Sequence, residues 1–475
     1  METAARTRTE RDSMGEFEVP ADAYYGANTM RAVVNFPISN LRLGRRFVHA
    51  IGLVKQQAAE VNRDLGLLDA GLAGAIVQAA QDVVDGRLDD QFVVDVFQTG
   101  SGTSTNMNAN EVISNRAIEL LGGEKGSRTP VHPNDHVNLC QSSNDVIPTA
   151  IHVAAATAIN EELLPALQVL EASLRRKSEQ FWDVVKTGRT HLQDATPIRL
   201  GQEFLGYAGQ VERARRRCTT ALQELQELGL GGTAVGTGVN SHPEFARRVI
   251  ARLSEKTGLQ FTESDNHFQS QSTLDNAVAA SGQLKAVAVS LYKVANDIRL
   301  LGMGPRAGIA EIALPAVQPG SSIMPGKVNP VISESVTMVV ARVLGNDATV
   351  AFGGAAGSYF ELNLMMPVVA YALLEAVTLL ANSARNLAVQ CVDGIEATDN
   401  GPNLVERGLM TCTALAPRIG YDAAAGIAKK AFATGLTVRE VARETTDLSD
   451  EELDELLDPA KMTEPGLGGG AGGGG

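Results

Sequence analysis

Cysteine is scarce: four residues, Cys140, Cys218, Cys391 and Cys412, none in a C-x-x-C spacing. A disulfide framework and a zinc knot are therefore not expected, and a reducing compartment suits the thiols best. Aromatics make up 4% of the chain, with a single Trp, while Ala, Leu and Val abound, which points to helices rather than a β-sandwich. Positive charge is in the minority, with 41 Lys and Arg against 55 Asp and Glu and a net charge of −14. Neither a nucleic-acid surface nor an anionic-membrane surface is expected from that balance, although local basic sites for small anions remain possible to build. No uninterrupted apolar run reaches the roughly 20 residues of a membrane span, and the polar Met1 to Ser13 has no apolar signal-like core. What remains is a globular, cytoplasmic protein of 475 residues, 44% hydrophobic, with a sizeable core and room for several domains. The glycine-rich stretch Gly466 to Gly475 is expected to be disordered, because glycine loses most entropy on ordering and brings no side chain to pack.

The apolar periodicity is helical. Phe204, Tyr207, Val211, Ala214, Cys218, Ala221, Leu225 and Leu228 step by three and four residues, and so do Ala277, Ala280, Leu284, Val287, Leu291, Val294, Ile298 and Leu301. Stripes this long must be buried against partner helices in a bundle, within the subunit or between subunits. Further helices are expected over about 149–179, 333–348 and 367–388. The chain thus divides into a mostly helical lobe over 1–141, a central long-helix bundle over 142–398, a small helical cap over 399–464 that includes 423–433 and 450–457, and a tail over 465–475.

Four polar loops interrupt this background. Gly320-Ser321-Ser322-Ile323-Met324-Pro325-Gly326-Lys327-Val328-Asn329-Pro330 packs two hydroxyls, an ammonium and an amide between glycines that expose N–H donors and prolines that stiffen its ends. It can close over an anion, whereas the plainer reading is a turn before a helix beginning near Ser333. Gln98 to Asn108 concentrates Gly, Ser and Thr ahead of a helical run expected from about Asn110; at a helix N-terminus such a run would bind a carboxylate, and otherwise it is a capped turn. Gln141-Ser142-Ser143-Asn144-Asp145 is a candidate helix cap, and Gly188-Arg189-Thr190-His191-Leu192-Gln193-Asp194 carries a histidine that is either structural or an acid–base group. His132-Pro133-Asn134-Asp135-His136 gathers two histidines and an aspartate but lacks a convincing fourth ligand, so no metal is expected there.

These four loops, in this order and at these separations, resemble the signature regions of the fumarase/aspartase superfamily, and the likeness runs from Met14 to about Met462. The resemblance implies a mainly α, three-domain fold with a long central helix bundle, and a homotetramer whose bundles form a twenty-helix core, with active sites shared by three subunits. It implies no cofactor and a small dicarboxylate substrate. The shared chemistry is reversible elimination: a base takes the proton beside one carboxylate, a dianionic aci-carboxylate forms, and the β-substituent leaves. Such an intermediate needs preorganised donors and cations. By resemblance Ser321 is the base, held as an alkoxide by loop N–H groups, and His191 works on the leaving water opposite it, with Glu334 as its carboxylate partner. Substrate contacts carried over are Ser101, Gly102, Thr103, Ser142, Ser143, Asn144, Thr190, Ser322, Lys327 and Asn329. The stretch His132, Pro133, Asn134 and Asp135 is read as a second anion site.

Within the superfamily, Thr99-Gly100-Ser101, Ser142-Ser143-Asn144, Leu230 to Ala234 and His132 to Asp135 resemble the fumarases, which hydrate fumarate reversibly to L-malate in the tricarboxylic acid cycle. Asn108 to Arg116 with Glu124-Lys125-Gly126, and Leu192-Gln193-Asp194, resemble certain aspartases, which release ammonia from L-aspartate; Leu139-Cys140 departs from the usual Lys-Ser. The hydratase reading is favoured, with the ammonia-lyase as its alternative. A catalytically silent structural oligomer is the third reading, opposed by the intact Ser321, Lys327, Asn329, His191 and Glu334.

Overall fold

The computed structural model describes residues 6–466, so the glycine-rich stretch expected to be disordered lies, from 467 on, outside the described residues. A hairpin comes first, β1 (Thr7–Asp12) pairing antiparallel with β2 (Gly15–Pro20). Helices α1 (Ala27–Asn35), α2 (Arg45–Asp64), α3 (Ala70–Val84) and α4 (Thr103–Leu120) follow. Next, α5 (Ser143–Ala158) passes through a π-helical turn, Ile159–Leu163, into α6 (Leu164–Gln180). A second hairpin, β3 (Val185–Thr190) with β4 (Gln193–Arg199), precedes α7 (Leu200–Leu225). After α8 (Phe245–Thr257) and the short α9 (His267–Ser272) come three long helices, α10 (Asp275–Leu301), α11 (Val331–Gly357) and α12 (Met366–Gln390). The last elements are α13 (Asn400–Val405), α14 (Ala416–Ile419), α15 (Tyr421–Thr434), α16 (Val438–Thr445) and α17 (Asp450–Leu456).

Both apolar seams read from the sequence are helical and buried: every seam residue from Phe204 to Leu225 lies on α7, and every one from Ala277 to Leu301 on α10. Leu228 is buried too, but on a two-residue strand, Glu227–Leu228, that pairs with Thr262–Glu263. The helix expected over 149–179 starts six residues earlier, at Ser143, and is interrupted by the π turn; α11 is longer at both ends than the expected 333–348. The larger correction concerns α4, which begins at Thr103 rather than near Asn110. Its first turns bury Ser104, Thr105, Asn106, Asn108 and Asn110. A helix that buries amides and hydroxyls has no apolar stripe to betray it.

Two compact units make up the fold. The first comprises 1–165, 216–288 and 341–381. Its core is α2, which packs on α3, α5 and α8, with α3 also against α4. Glu111 of α4, 3% exposed, accepts the N–H groups of Gly26 (2.9 Å), Asn28 (3.0 Å) and Thr29 (3.0 Å) and so supplies the cap that α1 lacks from its own sequence. The second unit comprises, among the described residues, 166–215, 289–340 and 382–466. Within it Phe204 stacks edge-on between Phe181 (5.3 Å) and Tyr207 (5.5 Å). Residues 412–457 hold a small core of their own, including Leu415, Ile427, Val441 and Leu453. The caps of α16 and α17 there, Thr437 with Glu440 and Ser449 with Glu452, are reciprocal boxes written in the sequence as T/S-x-x-E. By length and hydropathy the segment Met366–Gly394 could cross a membrane, but 67% of its apolar window is buried within the fold, as in a core helix.

Candidate functional site

In the first unit, three of the hydroxyls read as substrate contacts form one hydrogen-bonded chain. Ser101 Oγ lies 2.8 Å from Thr103 Oγ1, which lies 2.8 Å from Ser143 Oγ. Thr103 is the first residue of α4 and Ser143 the first of α5, so the chain bridges two helix N-termini. Gly102 makes that approach possible. Its φ of +71° is left-handed, and a Cβ there would come within 2.9 Å of the Ile147 side chain. Ser142 caps α5 as expected: its Oγ accepts the N–H of Asn144 (3.2 Å), and its own N–H goes to Asp145 Oδ1 (2.9 Å). Asp145 is fully buried and takes the N–H groups of Gly231 (2.9 Å) and Thr233 (3.0 Å) on its other oxygen. Burial pushes this carboxyl above its ordinary value against the pull of those donors. Asn144 Nδ2 donates to Ala234 O (2.8 Å), so the 231–234 segment is bound to the head of α5 by two side chains. Hydroxyls and positive helix ends converging in this way have the chemistry to seat a carboxylate.

In the second unit, the 320–330 loop is shaped by its own hydrogen bonds. Gly320 N–H donates to Lys327 O (2.8 Å), and Asn329 Nδ2 donates to Gly320 O (2.7 Å). Ser321 Oγ accepts two backbone N–H groups, from Ile323 (3.2 Å) and Met324 (3.0 Å). Gly326 turns the chain at φ +81°. Ser322 and Lys327 are exposed, and Glu334, also exposed, sits in the first turn of α11, where the helix dipole favours a carboxylate.

Thr190 and His191 stand at the tip of the β3–β4 hairpin. Thr190 pairs with Gln193, and His191 and Leu192 make the two-residue turn with φ of +56° and +60°, the mirror-image geometry that suits the strand twist. A bulge between Thr187 and Arg189 needs Gly188, where a Cβ would lie 2.5 Å from Thr196 O. Arg189 leaves the bulge to meet Glu311, its Nη1 lying 2.9 and 3.0 Å from the two carboxylate oxygens. Glu311, fully buried, also pairs with the buried Lys186 (3.1 Å), which in turn bonds Glu203 (2.8 Å). Sequence reading passed over this clamp, because a lone Glu between Ala310 and Ile312 carries no motif. Among the described residues, His191 and Glu334 share neither a hydrogen bond nor an ion pair.

The His132–His136 stretch is a π-helical turn over Pro133–Val137 capped by its own histidines. His132 Nδ1 accepts from Asn134 N–H (3.3 Å) and Asp135 N–H (3.2 Å), and His136 Nδ1 accepts from His132 N–H (2.8 Å). Burial lowers the pKa of His132. Those lone pairs are occupied by backbone donors, and among the described residues no group of three or more His, Cys, Asp or Glu is arranged to hold a metal.

Comparison with known proteins extends this picture over the whole chain. A family model described as Lyase matches residues 15–345, and one described as Fumarase C C-terminus matches residues 412–464. The chain is 53% identical over 461 residues to fumarate hydratase class II 2 of Bradyrhizobium diazoefficiens, with 97% of each chain covered. It is 55% identical over 461 residues to fumarate hydratase class II of Halobacterium salinarum, covering 97% of this chain and 98% of that one. Its fold superposes on the crystal structure of recombinant class II fumarase from Schistosoma mansoni with a TM-score of 0.94 at 38% identity, covering 96% and 99% of the two chains.

Proposed function

The chain belongs to the lyase family, among its class II fumarate hydratases, and from that premise we propose how its own residues carry out the reversible hydration of fumarate to L-malate. The observation that carries the reading is Ser321 Oγ with two backbone N–H donors aimed at it. Such bonds are worth about 1.5–3 kcal/mol to an ionised acceptor against about 0.5–1.5 kcal/mol to a neutral one, so the pair favours the alkoxide a base needs by the difference, roughly 2–3 kcal/mol. In the direction from L-malate to fumarate, Ser321 takes the proton from the carbon beside one carboxylate. The bonding pair passes into that carboxylate as the aci-form, and the hydroxyl on the neighbouring carbon then leaves as water, protonated by His191 with Glu334 as its partner. As the hydroxyl leaves, the pair returns from the aci-carboxylate to form the carbon–carbon double bond; Ser321 then gives its proton to solvent and His191 takes one back, which resets both groups.

One substrate carboxylate sits over the helix ends of Ser101, Gly102, Thr103, Ser142, Ser143 and Asn144. Ser322, Lys327, Asn329 and Thr190 complete the contacts, with the exposed Lys327 ammonium facing the growing negative charge. The second anion site over His132, Pro133, Asn134 and Asp135 gains positive charge when His132 is protonated; because burial lowers that pKa, anion binding there should strengthen as pH falls.

The sites are completed in a homotetramer, each drawing on three subunits. Apolar side chains left open on the long helices of one chain support an assembly, among them Val289 (53% exposed), Phe352 (64%) and Met338 (67%). The functional divisions are 1–141, 142–398 and 399–464, and the enzyme works in the cytoplasm. The test is purified enzyme given L-malate or L-aspartate, followed by the ultraviolet absorbance of the fumarate double bond. Absorbance should rise with malate alone, and Ser321→Ala should lose most turnover while keeping its oligomer by light scattering. Fumarate and ammonia formed from aspartate would overturn the hydratase reading, and undiminished turnover in Ser321→Ala would overturn the role of Ser321.

A further inference from the structure

Beneath the hydroxyl chain of the first unit lies a lysine the elimination does not use. Lys55, in the middle of α2, is fully buried. Its Nζ donates to Asn138 Oδ1 (2.9 Å) and to Gln141 Oε1 (3.0 Å). Asn138 Oδ1 is a hub, because it also receives Asn106 Nδ2 (3.2 Å) and Asn110 Nδ2 (3.2 Å) from α4. Asn138 Nδ2 donates to Gln141 O (3.0 Å), and Gln141 Nε2 donates to Leu139 O (3.0 Å), so the 138–141 turn is fastened at both ends. That turn delivers the chain into Ser142 and Ser143, while Asn106 stands three residues after Thr103. One ammonium therefore holds together the two helix heads whose hydroxyls form the carboxylate seat.

We infer that Lys55 is a positioning residue for substrate binding, setting the distance between the heads of α4 and α5 by anchoring the Asn138–Gln141 turn, so that Thr103 and Ser143 can grip one carboxylate. This inference rests on reading those hydroxyls as the carboxylate site. A buried amine is an expensive way to brace a turn, since an apolar side chain of similar volume fills such a position without a charge to desolvate. Its retention is explained when the ligand above is an anion. Burial pulls the Lys55 pKa down to about 7, opposed by the Asp145 carboxylate, and an anion bound over the helix ends holds the amine in its charged form.

The test compares the wild-type enzyme with Lys55→Met, Gln141→Met and Thr103→Val for thermal unfolding, oligomeric state, the Kd of succinate as an unreactive four-carbon dicarboxylate, and KM and kcat for L-malate. Lys55→Met should raise both Kd and KM by about tenfold or more, as expected when binding groups are misplaced by a fraction of an ångström, with kcat changed by less than about threefold. Gln141→Met, which removes one of the two acceptors of the ammonium, should move Kd and KM the same way and is judged by the same measure should Lys55→Met fail to assemble. Folded variants with Kd and KM within about twofold of wild type, or a fall in kcat alone, overturn the role of Lys55. Thr103→Val separates the two readings. If it leaves succinate binding unchanged, the carboxylate seat is misassigned and the inference falls with it; if it weakens binding while Lys55→Met and Gln141→Met do not, only the positioning role fails.

Discussion

Replacing Gly320 by alanine tests whether the loop's shape, rather than its composition, suits Ser321 to the proposed role of base. A Cβ at 320 would press into the Lys327 carbonyl oxygen and lie 3.0 Å from its carbon and 3.1 Å from Asn329 N, where ordinary contact begins at 3.4 Å. These neighbours are backbone and cannot swing aside as a side-chain tip would. Relief requires a shift on the order of 1 Å between the two arms of the loop. Such a shift breaks the bond from Gly320 N–H to Lys327 O and the bond from Asn329 Nδ2 to Gly320 O, the two that hold the arms together. Ser321, the next residue, then loses its register on the N–H groups of Ile323 and Met324. A displacement of this size is worth about 10²-fold in rate, so kcat for L-malate should fall by about two orders of magnitude. Thermal stability should change little, by less than about 1 kcal/mol, since the loop is exposed from Ser322 to Val328. Initial rates by fumarate absorbance, paired with a thermal melt, decide the matter. A Gly320→Ala enzyme within about threefold of wild-type kcat would show that the Ser321 cradle is not held by this loop geometry.

Three further outcomes are expected. Glu311→Gln leaves Arg189 and Lys186 with only Glu203 as a carboxylate among their described partners; breaking a buried pair in this way costs about 3–5 kcal/mol, to be read as a lower unfolding midpoint, with kcat falling because Arg189 anchors the strand that presents Thr190. Asp12 is held below its ordinary value of 3.8 by the hydrogen bond from Arg31, so its contribution is fully present above the unfolded pKa and is lost as pH falls through the depressed folded one; Arg31→Met should therefore lose stability at neutral pH and converge on wild type in acid-unfolding curves as pH falls through that depressed value. Leu192→Thr, at a side chain 74% exposed on the hairpin tip, should leave malate turnover within about threefold and release no ammonia from L-aspartate, measured by parallel absorbance and ammonia assays.

What could be read in advance follows the kind of signal each element carries. The seams of α7 and α10 were legible because an apolar stripe over seven or eight turns has no other explanation. The Ser142–Asp145 cap was legible because capping chemistry is local, fixed within four residues; the boxes of α16 and α17 carry the same local signal but were not singled out. The start of α4 was hidden because the helix buries Asn106, Asn108 and Asn110 for their hydrogen bonds, which mimics a polar loop in sequence. Lys55 and Glu311 were hidden for a related reason. A charged residue in a helix or beside a strand is normally solvated, and only long-range pairing, 83 residues away for Lys55 to Asn138 and 122 for Arg189 to Glu311, shows that it is buried.

The same distinction bears on the segments that resemble aspartases. In the Asn108–Arg116 run, Glu111 is consumed in capping α1, and Asn115 donates to Tyr24 O (2.8 Å) and accepts from Gly126 N–H (2.7 Å). Arg116 bonds Asp82 (2.8 Å), and that pairing drives its pKa upward. Asn108 holds Gln91 O (2.9 Å) through its amide nitrogen and Val93 N–H (3.2 Å) through its oxygen. Side chains with their hydrogen-bonding capacity spent on the chain's own backbone and carboxylates have little left to tell water from ammonia. In this chain Glu111 and Asn115 of the run fasten α1 and the 124–126 turn to α4. Leu139 is a similar case. Its carbonyl receives Asn62 Nδ2 (3.0 Å) and Gln141 Nε2 (3.0 Å), whatever its side chain, while Cys140 beside it turns at φ +63°. Of the departures, the hairpin tip at Leu192 stands next to His191, proposed above to act on the leaving water, so on that proposal discrimination between hydroxyl and amine is to be sought first around His191.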